Sequence, residues 1–120
     1  MRTLLVHIDG EVEPGDIVII SASDRHRGGS SNARAHVRPT RDSIQVINGR
    51  KEVVEDKASM RDLVDMIARE IATHWGAGFS ARVRNDHEIV VQCESSSQDV
   101  NFSSTIEGSK RQTVTIEDLA

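Results

Sequence analysis

Residues 59–75 read Ser-Met-Arg-Asp-Leu-Val-Asp-Met-Ile-Ala-Arg-Glu-Ile-Ala-Thr-His-Trp, and this stretch decides the fold. Met60, Leu63, Val64, Ile67, Ala68, Ile71 and Trp75 recur at steps of three and four, which on a helix lines them up as one apolar stripe. Ser59 has the side-chain oxygen an N-cap needs, and Asp62 stands where a carboxylate can reach back in a variant capping box. Asp65 and Arg69 form an i,i+4 pair in the favourable order. Gly76 and Gly78 are candidates for the left-handed residue that closes a helix. The spacing predicts one amphipathic helix over about 59–75, roughly 25 Å long at 1.5 Å per residue, enough to cover a sheet of four to five strands. Its outer face carries balanced charge in Arg61, Asp62, Asp65, Arg69 and Glu70.

On either side the pattern changes to short alternating or β-branched runs. Thr3–Ile8 reads as a strand closed by Asp9-Gly10. Pro14-Gly15-Asp16 is a turn, and the continuous run Ile17–Ile20 predicts a strand buried on both faces. A polar stretch follows, with Gly28-Gly29-Ser30-Ser31 at its centre, and reads as a flexible loop at about 21–33. Ala33, Ala35 and Val37 alternate with Arg34, His36 and Arg38 up to Pro39. Ser43–Ile47 and Arg50–Glu55 flank Asn48-Gly49, the pair that a two-residue hairpin turn favours because both central residues need positive φ. Beyond the helix, Ser80–Arg84 and His87–Cys93 alternate around Asn85-Asp86. Ser95–Asp99 is a polar loop, and Val100–Ser103 and Gln112–Glu117 are strands joined through Gly108. Strands, one helix, then strands argue for an α+β class, antiparallel β-hairpins packed on one central amphipathic helix, and against a doubly wound fold. The length of 120 residues fits a single domain, 1–120.

Trp75, Phe79 and Phe102 are the only aromatics apart from the histidines, so the core must come from Ile, Val, Leu and Met. Cys93 is the single cysteine, which excludes an internal disulfide and a thiolate zinc cage and fits synthesis in a reducing compartment. The apolar residues after Met1 are too few for a signal-peptide core or a membrane span, so no membrane partner is expected.

The net charge of −4 hides a segregation. Arg25, Arg27, Arg34, Arg38, Arg41, Arg50 and Lys51 face one acid, Asp42, so residues 25–51 sum to +6 and the remainder to −10. Such a chain attracts phosphates, or the acidic side of another copy of itself. Arg25, Arg27, Arg34, His36, Arg38 and Arg41 are therefore the candidate site, for a subunit interface or a polyanion. A cationic stripe can follow a phosphate backbone. No aromatic accompanies it to stack on bases, however, and the acidic remainder repels nucleic acid.

Catalytic signatures are absent from the sequence. The five histidines form no HxH or HExxH spacing. His7 with Asp9 could hold a metal weakly, but a solvent-facing strand pair is the favoured reading of the two. His87 and Cys93 are six residues apart on one strand, about 20 Å at 3.3 Å per residue, too far to act as nucleophile and base. Cys93 reads as a small buried hydrophobe. The Gly/Ser loop has no GxxxxGK[ST] pattern. No enzyme, metal or cofactor is expected.

Several stretches together resemble a domain of bacteriophage tail structural proteins, including parts of contractile-tail sheath proteins. These are Gly10–Ile19 with its Gly15-Asp16 before a β-branched strand, and Ile47-Asn48-Gly49 leading to a helix with Val64, Ile67, Ala68, Ile71 and Ala72. The third is Phe79–Arg84 with His87–Cys93, and the last is the closing pair Val100–Ser103 and Thr113–Ile116. The likeness spans most of the chain. The chain departs from that domain in the basic region Ser23–Thr40 and in its few aromatics. The resemblance implies a virion structural protein, made in a host bacterial cytoplasm, whose partners are other copies of itself and other virion proteins. A capsid-decorating or neck role belongs to the same class, and a small nucleic-acid-binding accessory protein is the alternative.

Overall fold

A computed structural model describes residues 2–24, 30–37, 43–54, 59–76, 78–94 and 100–119, with backbone alone for 24, 43–47 and 51–54. In chain order the elements are β1 (Arg2–Gly10), β2 (Ile17–Asp24), β3 (Ser30–His36), β4 (Ser43–Ile47), β5 (Arg50–Val54), α1 (Met60–His74), β6 (Phe79–Asn85), β7 (Glu88–Cys93), β8 (Val100–Glu107) and β9 (Gln112–Leu119). They form a four-stranded sheet in the order β6-β7-β1-β9, a three-stranded sheet β3-β2-β8 and the separate hairpin β4-β5. Each of these pairings is antiparallel. The class is α+β, as the sequence predicts.

The helix forms where its signals lie. Ser59 is the N-cap, extended at φ −113° and ψ 149°, and its Oγ accepts a 3.1 Å bond from the Asp62 amide. Gly76 follows the C-cap Trp75 at φ +91°. Asp65 pairs with Arg61 at 3.1 Å rather than with the expected Arg69, and Arg61 also reaches Asp86 across to the β6–β7 turn. Leu63, Val64, Ile67, Ala68 and Ile71 are buried, each large side chain contributing about 1.5–3 kcal/mol by leaving water.

The helix packs against strands of more than one sheet. Its main contacts are with β3 and β6, strands of two different sheets. The inward residues Val6, Ile8, Ile89 and Val91 of the first sheet and Val18, Ile20, Ala33 and Ala35 of the second join the helix in one core. The small side chains of Ala33 and Ala35 let the helix approach β3 closely.

Two strand readings also change. Val18 and Ile20 are buried while Ile17 and Ile19 are half-buried, so β2 has one core face, not two. A continuous apolar run cannot by itself distinguish these cases. The polar loop at about 21–33 is shorter than read, because Ser21–Asp24 extend β2 and Ser30–Asn32 begin β3. Ser21 sits opposite Asn32, and its hydroxyl donates to Asn32 Oδ1 at 2.6 Å. Residues 25–29 of that loop, and the loop read over 95–99, lie outside the described residues.

The molecule is elongated, 62 × 26 × 25 Å with a radius of gyration of 17.0 Å, against about 14 Å for a compact domain of this length. The β4-β5 hairpin turns on Asn48 and Gly49, at φ +52° and +79°, and makes no extended contact with any other described element.

Candidate interaction surface

Of the six basic candidates, Arg34 and His36 lie in β3, while Arg25, Arg27, Arg38 and Arg41 fall outside the described residues. The alternation behaves as the sequence predicts: Ala33, Ala35 and Val37 are buried, Arg34 is exposed and His36 is half-buried. Arg34 sits beside Ile19, and His36 beside Ile17, on the solvent side of the three-stranded sheet. Across β2 the same rows end in Thr105 and Glu107 of β8. Among the described residues β3 pairs with β2 alone, so it is an edge strand with one row of backbone groups directed away from the sheet.

What fixes this edge is a polar lock that no local pattern in the sequence announces. Asp16 is 1 % exposed, and its carboxylate accepts four hydrogen bonds. The Glu13 amide donates at 2.9 Å, the Ser109 amide and hydroxyl at 2.8 Å each, and the Gln112 side-chain amide at 2.7 Å. The Asp16 carbonyl in turn accepts from the Val37 amide, and the Gly15 amide donates to the Val37 carbonyl. One residue thus joins the β1–β2 turn, the β8–β9 turn and the end of β3. Burial pushes the Asp16 carboxyl up, but the bonds from Ser109, Glu13 and Gln112 outweigh it and hold the group below its ordinary value. Gly108, at φ +92°, leaves room for this approach, because a Cβ there would stand 2.6 Å from Asp16 Oδ1.

The remaining candidate side chains make contacts within the fold. His7 Nδ1 lies 3.3 Å from Glu88 Oε2, and the His87 ring donates to the Ile8 carbonyl at 2.9 Å. The His7 and His87 rings stack at 6.0 Å. Asp9 Oδ1 accepts a 2.9 Å bond from the Gly10 amide. Among the described residues no three histidines, cysteines or acids are grouped to hold a metal. Cys93 is buried. Trp75, Phe79 and Phe102 meet in one cluster, with ring centroids 5.2 and 6.3 Å from Trp75. Arg2 lies over Phe102 and is fixed by Asp118 at 2.6 Å.

No protein-family model matches the chain, and no curated protein or solved structure shows significant similarity to it.

Proposed function

We propose that the chain is a non-enzymatic bacteriophage virion structural protein, tail-associated in a tube, sheath or baseplate, and made in the host bacterial cytoplasm. It self-assembles by setting its basic strand and loop region against acidic patches of neighbouring subunits. The observation that carries the reading is the position of β3: the strand bearing Arg34 and His36, inside the +6 segment, is also a sheet edge. An edge strand offers main-chain pairing to a neighbour, and its charge selects an acidic partner. Head-to-tail assembly needs two different complementary patches, and a chain divided into +6 and −10 regions has them. The resemblance to tail-protein domains supports the class, which also includes capsid-decorating and neck proteins.

Negative-stain microscopy and light scattering of the purified chain are expected to show rings, tubes or copies bound to particles at low salt, and Arg34→Glu is expected to shift these toward monomer. A chain that stays monomeric and never associates with virions rules the reading out. The exposed Arg34 also fits a polyanion. DNA binding with a steep salt dependence that Arg34→Glu abolishes would instead favour a nucleic-acid accessory protein.

A further inference from the structure

The second surface of interest lies on the other sheet. On the solvent side of β6-β7-β1-β9, strand register places Arg82, Val90, Leu5 and Glu117 in one row, from one edge of the sheet to the other. The next row includes Glu88 beside His7. A groove of about 390 Å³ runs along this face, bordered by Arg82 and Arg84 on β6 and by Leu119 on β9. Val90 lines it and is 6 % exposed although it takes no part in the core cluster. Leu119 is 39 % exposed, the one large apolar side chain so exposed among the described residues.

The row is basic at one end, apolar in the middle and acidic at the other end. Arg82 and Glu117 are three strand spacings apart, about 14 Å, which exceeds the reach of both side chains. Neither has an ion-pair partner among the described residues. A two-fold axis parallel to the strands, passing between β7 and β1, resolves both facts. It lays β6 of one copy over β9 of the other and β7 over β1. Arg82 then faces Glu117 of the second copy, Val90 faces Leu5, and Glu88 faces His7. Sheets stacked face to face lie about 10 Å apart, a gap that an arginine and a glutamate span together.

We infer that this sheet face is a self-complementary contact, and that its occupant is a second copy of the chain related by that two-fold axis. The contact is separate from the basic β3 edge and does not depend on the virion reading. Four strands at about 4.8 Å and six residues at about 3.4 Å give a face of roughly 19 by 20 Å. That is about 380 Å² a side and roughly 760 Å² in all, below the roughly 1,200 Å² at which stable interfaces begin, so the dimer is a weak one that forms only at high protein concentration.

The test is sedimentation equilibrium of the full chain from micromolar to near-millimolar concentration, with circular dichroism to confirm folding of each variant. Arg82→Glu and Glu117→Arg are each expected to weaken dimerisation at least about tenfold, since each change creates two like-charge contacts per dimer. An equimolar mixture of the two variants is expected to recover it, because every cross-pair in the mixed dimer again joins opposite charges. Arg34→Glu is expected to leave it unchanged, which separates this contact from assembly through β3. The inference is overturned by a wild-type chain that is monomeric throughout, by dimers indifferent to both reversals, by a mixture that does not recover, or by loss of the dimer in Arg34→Glu.

Discussion

Asp16 shows at the residue scale how an unremarkable turn residue comes to hold a fold together. Its carboxylate bonds to groups from 3 to 96 positions away. The Pro14-Gly15-Asp16 turn was legible because turn chemistry is local. Its partner Ser109 was not, because nothing in the sequence near position 16 points 93 residues ahead. Folding favours the ionised form, as the carboxyl is held below its ordinary value of about 3.9. Its stabilising contribution is therefore complete above about pH 5 and is lost as pH falls through the native-state value. Asp16→Asn should cost about 1–3 kcal/mol at pH 7, because an amide leaves one of the Ser109 or Glu13 donors unsatisfied. It should also flatten the acid limb of the stability curve; urea unfolding between pH 3 and pH 7 measures both. Gly10→Ala should be costly for a steric reason, since a Cβ there would stand 2.1 Å from the Arg111 carbonyl oxygen at φ +104°. Of the six basic site residues, Arg34 and His36 could be placed on a strand face from alternation alone, but that the strand is an edge depends on pairing partners far along the chain.

At the scale of elements, legibility followed the range of the signal. The helix has its cap, stripe and terminating glycine within eighteen residues, and the Asn48-Gly49 hairpin has its turn in two, so both were readable. The polar ends of β2 and β3 carry a loop-like pattern because Ser, Asn and Asp favour turns. Their strand state comes from cross-strand pairing such as Ser21 with Asn32. The same logic explains Ile17 and Ile19, whose solvent side is set by which sheet β2 joins. The helix remains the strongest local determinant of stability. Ile67→Ala should destabilise by about 2–5 kcal/mol, with Ile67 fully buried between the two sheets. Ser59→Ala should cost about 1 kcal/mol through the lost cap bond to the Asp62 amide. Both are read as shifts of the urea midpoint at constant slope.

For the whole molecule, the division into two sheets sharing one helix was not legible, since it depends on β1 leaving its sequence neighbour β2 to pair with β7 and β9. Stability is unevenly distributed as a result. A two-stranded hairpin alone is marginal in water, and among the described residues β4 and β5 pair only with each other, so their amides should exchange with deuterium far faster than those of β1 and β7, which native-state exchange followed by NMR would reveal. The placement of β1 has one further effect, on time rather than energy. Thr3 lies opposite both Gln92 and Leu119, so the central strand of that sheet finds its neighbours only after loops of roughly 80 to 115 residues have closed. A chain with such remote pairings should refold in milliseconds to seconds, not microseconds, and for that interval its β-branched strands are exposed to other chains before they meet their own partners.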